Sequence, residues 1–196
     1  NTNEQKTLLP LEKRIMRDFA LSKLVVCTDA GLSSKTNRSF NSFANRAYVT
    51  VQSLKKLKQH LKDWALDPQA WHLNGSSTVF NLNEIDLEDN TAVYTKERWI
   101  HENGLEERLI ISFSPKYKRY QETIRGRQIE RACHQIEVKA PARSAKNPND
   151  PARFIQELKT TPSGEVAQQR HLSLDLDKID NERQYDGFYG VVTNLE

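Results

Sequence analysis

The feature that most constrains the fold is the apolar run over residues 24–27, Leu-Val-Val-Cys, which Asp29 follows closely. Short apolar runs rich in β-branched residues are typical of strands buried on both faces, as in parallel sheets. Gly31 then permits a turn, and Ser33 or Ser34 can cap a helix. We therefore expect Asp29 at the carboxyl end of a central strand, where open α/β sheets bind their ligands.

An aspartate in this position has three interpretations. Its oxygens can bind a hard cation such as Mg²⁺, or its carboxylate can accept a phosphoryl group. It can also do no more than close the turn, by accepting a hydrogen bond from a nearby backbone N–H. A phosphoacceptor site would need a second acidic residue and a suitably placed lysine beside Asp29, and the neighbouring sequence offers neither.

Patterns on either side of this run predict a parallel β-α-β arrangement. Apolar residues recur at helical spacing over 8–19, with Pro10 in the first turn, so we predict a helix that ends near Leu21. A short helix over 37–45 and a strand over 47–53 follow. Because a helix separates the two strands, we expect them to pair in parallel.

From residue 71 to residue 115 the pattern changes to that of an antiparallel meander. We predict strands over 78–82, 92–100 and 108–113, with a turn at Asn103-Gly104. Beyond them we predict, in order, a long basic helix over 117–138, a mobile loop near 140–151, a short helix over 152–158 and strands over 172–176 and 188–193. The predicted fold class is α/β, a parallel strand-helix-strand core with a β-rich antiparallel insertion.

Composition excludes several classes of protein. With 37% hydrophobic and 28% charged residues among 196, the chain is typical of a globular protein of one domain, or of a core with a large insertion. No apolar run approaches the roughly 20 residues that cross a membrane, so we expect no membrane partner. Cys27 and Cys133 form no Cys-x-x-Cys pair, which favours a reducing compartment such as the cytoplasm.

The net charge of +3 is unevenly distributed. Two basic groups stand out, the first over 35–58 and the second at the start of the long helix. Blocks of this kind suggest a polyanion partner, although they can also be solvated surface. We predict that both groups contact DNA phosphates. The first comprises Lys35, Arg38, Lys55, Lys56 and Lys58, and the second Lys116, Lys118, Arg119, Arg125 and Arg127.

Several stretches together resemble a known family. Residues 28–37, Thr-Asp-Ala-Gly-Leu-Ser-Ser-Lys-Thr-Asn, are similar to the strand-end block of the DDE transposases of bacterial insertion sequences. Stretches that resemble the same family follow in order at 48–58, 107–117, 147–154 and 185–194. The resemblance covers nearly the whole chain. It implies a partial ribonuclease-H-like catalytic core over 1–70, a β-rich insertion over 71–185 and a strand over 186–196 that leads back towards the core.

The family's chemistry implies a role for Asp29. Two Asp and one Glu would hold two Mg²⁺ ions about 3.5–4 Å apart for DNA cleavage and strand transfer. By resemblance Asp29 is the second of these three ligands and a catalytic residue. The first aspartate would lie on an earlier strand beside that of Asp29, and the glutamate on a later helix. The sequence shows neither, so we expect Mg²⁺ to bind this chain weakly or not at all.

The resemblance therefore indicates that the chain is the central fragment of such a transposase. It begins with Asn1 and stops at Glu196 directly after an apolar strand, and alone it should not cut DNA. The resemblance implies DNA partners, transposon ends and target, and is compatible with a homodimer of the full-length protein. Without the neighbouring strand, backbone groups beside Asp29 stay unpaired and an apolar face is left uncovered, so we predict poor solubility or association of the isolated chain. The alternative is a non-catalytic DNA-binding module, or the remnant of a decayed mobile element.

Overall fold

The computed structural model describes residues 4–138, 145, 147, 149–160 and 166–196. The chain folds into two compact units, one of Asn1–Pro115 with Phe188–Glu196 and the other of Lys116–Gly187. In the described ranges, no helix has both the length and the apolar character needed to cross a membrane.

The elements alternate between helices and strands in the first part of the chain and are richer in strands later. In chain order they are α1 (Gln5–Asp18), β1 (Leu24–Thr28), α2 (Lys35–Asn41), β2 (Arg46–Val51), α3 (Gln59–Leu66), β3 (Trp71–Leu73), β4 (Val79–Phe80), β5 (Tyr94–Glu102), β6 (Leu105–Phe113), α4 (Pro115–Glu137), β7 (Ile155–Thr160), β8 (Val166–Leu174), α5 (Leu176–Arg183) and β9 (Phe188–Thr193). The predicted mixed α/β class is confirmed. Short 3₁₀ turns occur at Leu54–Lys56 and Pro151–Phe154.

The first unit contains the predicted parallel pair. β1 pairs with β2 in parallel over its whole length, and α2 connects them. Ser34 caps α2, its Oγ accepting a hydrogen bond from the N–H of Asn37 at 3.2 Å. The first helix begins earlier than predicted, so Pro10 lies inside α1 rather than in its first turn.

The β-rich segment continues the same sheet. Its seven strands lie in the order β1-β2-β9-β6-β5-β3-β4, and every neighbouring pair except β1 and β2 is antiparallel. The predicted hairpin of β5 and β6 is confirmed, and Asn103 and Gly104 turn it with φ of 57° and 77°. The result is a mostly antiparallel sheet with one parallel pair.

The prediction that β1 is buried on both faces is wrong. It is the last strand on one side of the sheet, and its residues alternate between half-buried and exposed. Val26 and Thr28 line a small cavity with Leu8 of α1, so this face is covered. On the other face Cys27 is exposed and Val25 is 53% exposed.

Aromatic and aliphatic side chains form the core of the first unit. Trp71 is fully buried and packs against the rings of Phe113 and Phe188, at centroid distances of 6.5 and 5.8 Å. In the centre of the sheet Leu109 is also fully buried. A Cβ on Gly190 would lie only 2.8 Å from a backbone carbonyl oxygen, so β9 needs a residue without a side chain there.

The two units divide the chain at 115/116 and 187/188, because β5 and β6 belong to the sheet that contains β9. The predicted division differs, with a catalytic core over 1–70, an insertion over 71–185 and a return strand over 186–196. The predicted division assigns functions to segments of the chain and not compact units, so it stays a prediction.

The second unit contains the predicted long helix, α4, which is confirmed. The helix predicted over 152–158 is wrong beyond Phe154, because the chain continues as β7 and pairs with β8. No predicted element corresponds to α5, whose first turn Asp175 caps by accepting a hydrogen bond from the N–H of Lys178 at 3.0 Å. The mobile loop predicted near 140–151 falls largely outside the described residues.

Candidate nucleic-acid interface

Asp29 lies in the turn that follows β1 and is exposed. Its Oδ1 accepts hydrogen bonds from the backbone N–H groups of Gly31 at 2.9 Å and Leu32 at 3.3 Å. The carboxylate thus closes the turn, as one of the three interpretations predicted. Closing the turn also fixes the carboxylate at the carboxyl end of the strand.

Two threonines join the ends of β1 and β2 below this turn. The Thr28 hydroxyl donates to the Thr50 Oγ1 at 2.9 Å, and the Thr50 hydroxyl donates to the backbone oxygen of Asp29 at 3.2 Å. Thr50 is 2% exposed. The backbone of Asp29 is therefore held by the neighbouring strand as well as by its own turn.

A cleft of about 310 Å³ opens next to this turn, within the first unit. Its walls come from the segments that follow β1 and β2, from the start of α3 and from the β5–β6 hairpin. Its polar lining consists of Ser33, Arg38, Gln52, Ser53, Lys56, Lys58, Glu102, Asn103 and Glu107. Ala30 also lines it, so the cleft begins one residue after Asp29.

The three cations of this cleft differ in how they are held. The Lys58 Nζ lies 2.7 Å from a Glu102 oxygen, and the Arg38 guanidinium lies 2.8 Å from Glu107. Lys56 is exposed, and none of the ion pairs described for the chain involves it. Lys56 is thus the cation of the cleft best placed to meet a phosphate.

A buried polar cluster forms one wall of the cleft. Glu107 is fully buried and accepts from the Arg38 Nη1 with both carboxylate oxygens at 2.8 Å, and from the Tyr48 hydroxyl. Burial, and then the hydrogen bond to this carboxylate, raise the pKa of the Tyr48 phenol well above its usual range. The cluster links α2 to β2 and β6, and it engages Arg38 in an interaction within the fold.

Glu107 and Tyr48 are not among the site residues predicted from the sequence. The sequence does contain a sign that Glu107 is buried. Glu107 lies two residues from Leu105 and two from Leu109, and side chains at this spacing share one face of a strand, here the buried one. A carboxylate on a buried face needs a partner, and Arg38, 69 residues away, is that partner.

The other predicted members of the first basic group, Lys35 and Lys55, are both exposed but do not line the cleft. Lys35 is the first residue of α2, and Lys55 lies in the 3₁₀ turn before α3. The structure therefore brings Arg38, Lys56 and Lys58 together in the cleft and leaves the other two outside it.

The second predicted group lies along α4 and is split between surface and interior. Lys116 and Arg127 are exposed, whereas Lys118 and Arg119 are half-buried, and Lys118 pairs with Glu122 one turn later. Arg125 is 8% exposed and makes a two-pronged ion pair with Asp186. The Arg125 guanidinium therefore serves a buried ion pair within the second unit.

The described residues contain no group of three or more His, Cys, Asp or Glu side chains that could hold a metal ion. Asp29 offers a single carboxylate, with Oδ1 already bonded to the turn. The residues that the structure describes do not by themselves fit a Mg²⁺ pair, which needs several oxygen ligands for each ion. No protein-family model, curated protein or solved structure matches the chain.

Proposed function

We propose that this chain is part of the catalytic domain of a DDE transposase, a Mg²⁺-dependent enzyme that cuts and joins DNA. The observation that carries the proposal is the position of Asp29, an exposed carboxylate fixed at the carboxyl end of β1, beside a strand parallel to it. Ligands of α/β sheets collect at this end. The cleft with Lys56 begins one residue away and provides a place for a phosphate backbone.

The fold is compatible with a ribonuclease-H-like core. The segment β1-α2-β2 would be the part of that core that contains the second aspartate, and the outer side of β1 would face the strand with the first. The remaining antiparallel strands would correspond to the insertion. These assignments rest on the resemblance of the sequence and on the parallel pair.

The proposal requires two further carboxylates that the described residues do not place beside Asp29. We therefore assign no reaction step to a metal here. What this chain's own residues do is position the Asp29 carboxylate, through its turn and through Thr50, and present cations to DNA.

The test is nicking of supercoiled plasmid by the protein encoded by the complete reading frame, with Mg²⁺. Asp29→Asn keeps an oxygen that can close the turn but removes the charge, and we expect a loss of at least about a hundredfold. Asp86→Asn is the matched control, because exposed Asp86 also accepts a backbone N–H two residues on, from Glu88 at 2.8 Å.

Full activity of the Asp29→Asn variant would refute the proposal. Mg²⁺-dependent nicking by the 196-residue chain that Asp29→Ala removes would instead contradict the expectation that this chain alone does not cut DNA, since the chain would then hold a complete site by itself.

The second candidate is a DNA-binding module without catalysis, and the cleft favours it independently of any metal. Each phosphate neutralised adds about 0.9 to the slope of log affinity against log salt. We expect Lys56→Ala to lower that slope by about 0.9 in duplex-binding titrations. Lys6→Ala, which removes an exposed lysine of α1 outside the cleft, should leave it unchanged. An affinity that does not depend on salt would exclude this candidate.

A further inference from the structure

The outer side of β1 is an open sheet edge. β1 is the last strand on its side of the sheet, and its only described strand partner is β2. The opposite edge is β4, which has only two residues. Natural sheets protect their edges by shortness, proline, charge or bulges. β1 has five residues, Leu-Val-Val-Cys-Thr, without any of these.

The backbone groups available on this edge can be identified. The N–H of Leu24 donates to the Asn45 oxygen at 3.1 Å, so Leu24 faces the side of β2. Successive residues of a strand direct their N–H and C=O groups to opposite sides. Val25 and Cys27 therefore present theirs outward, and their side chains are exposed as well.

We propose that β1 pairs antiparallel with β1 of a second copy of this chain, about a two-fold axis at Val26. In this register Val25 lies opposite the partner's Cys27, both with outward backbone groups, as a hydrogen-bonded pair requires. The two-fold axis repeats every contact, because such an interface is self-complementary.

The charged residues that flank β1 favour this register and orientation. When Val26 faces its own copy, Lys23 lies opposite Asp29 of the second copy, and the pair occurs twice. Opposite charges that face each other across an antiparallel pair are stabilising, and like charges are destabilising. Lys23 and Asp29 are the residues that flank the strand, and both are exposed.

The contact is small, so the dimer should be weak. Pairing two five-residue strands buries much less than the roughly 1,200 Å² of a standard stable interface, and we expect a dissociation constant on the order of tens of micromolar. The inference concerns the 196-residue chain and does not need Asp29 to bind a metal. In a longer transposase the neighbouring strand of the proposed core would compete for the same edge.

Sedimentation of the chain over a range of concentrations tests the proposal. We expect a monomer–dimer equilibrium that Val25→Lys weakens at least about tenfold, because a charged lysine on an edge strand opposes pairing with a second strand. Lys23→Glu should weaken it too, whereas Lys6→Glu, with the same change in net charge, should not. The proposal is overturned if the chain is monomeric at all concentrations, or if neither Val25→Lys nor Lys23→Glu changes the dissociation constant of the dimer.

Cross-linking tests the register. In a background with Cys27→Ser and Cys133→Ser, Val26→Cys places two thiols on the two-fold axis, within reach of a disulfide. We expect mild oxidation to give a covalent dimer. Val79→Cys, which places an exposed thiol on the opposite edge strand, is the control and should give no covalent dimer. Absence of the Val26→Cys dimer, or equal cross-linking of the control, contradicts the proposed pairing.

Discussion

Lys96 offers the sharpest test of the electrostatics inside the first unit. It is 5% exposed, and its Nζ donates to the backbone oxygen of Asp67 at 2.7 Å. The same atom lies 4.6 Å from the centre of the Trp71 ring and 5.1 Å from that of Trp64. Burial lowers the pKa of the Lys96 amine to about 8, partly offset by the charge of Asp67.

The sign of the effect on stability follows from this pKa. Between about pH 8 and the ordinary lysine pKa near 10.4, the unfolded chain keeps the proton that the folded chain has lost. The free energy of unfolding therefore rises with pH in this window. A lowering of this size corresponds to roughly 3 kcal/mol, and that difference is present in full below pH 8 as a penalty for burying the charge.

We predict that Lys96→Met removes this pH dependence. Methionine keeps the length and the apolar contact with the two tryptophans, but it cannot ionise. The variant loses the hydrogen bond to Asp67, which costs about 1–3 kcal/mol at every pH. The diagnostic quantity is therefore the difference in unfolding free energy between wild type and variant, which should shift by roughly 3 kcal/mol in favour of wild type from pH 8 to pH 10.5.

Urea denaturation at closely spaced pH values measures that difference. All other titratable groups are present in both proteins, so their contributions cancel in this difference. Lys6→Met, at an exposed position, controls for the loss of one lysine. A difference between wild type and Lys96→Met that stays constant from pH 8 to pH 10.5 would refute the reasoning.

Two further predictions concern buried charges. Burial raises the pKa of Glu12, so the folded chain holds a proton that the unfolded chain has released, and stability falls as pH rises above the usual glutamate pKa. Glu12→Gln should therefore flatten this fall in urea denaturation above the usual glutamate pKa, and an unchanged slope would contradict this. Arg125→Met leaves Asp186 buried without its partner and should cost about 3–5 kcal/mol, measured by the same method. Arg127→Met on the exposed side of α4 should cost little, and equal losses in the two variants would count against the buried pair.

Local patterns in the sequence predicted local structure well. The parallel pair, the cap at Ser34 and the hairpin turned by Asn103 and Gly104 each depend on residues close together in the chain. Local patterns could not predict the order of the sheet. β9 lies between β2 and β6 although more than 70 residues separate it from either strand. The spacing of apolar residues along a strand does not indicate which distant strand it pairs with.

The error at β1 has a similar origin. A run such as Leu-Val-Val-Cys fits a strand buried between two helical layers, and it fits equally well an edge strand with one covered face. What distinguishes the two is the position of α1 and of neighbouring strands, which the run itself does not encode. The exposure of Val25 is therefore visible only in the fold.

The same limit applies to the basic groups, and it decides which variants can test DNA binding. Runs of positive charge identify cations but not their partners, and the acidic partners of Arg38 and Arg125 lie 69 and 61 residues away in the sequence. Removing either arginine leaves a buried carboxylate unpaired, which destabilises the protein whether or not it binds DNA. Loss of DNA binding in Arg38→Ala would therefore not identify a phosphate contact. Lys56 is exposed and lines the cleft, so a change in the salt dependence of binding there reports on the contact itself.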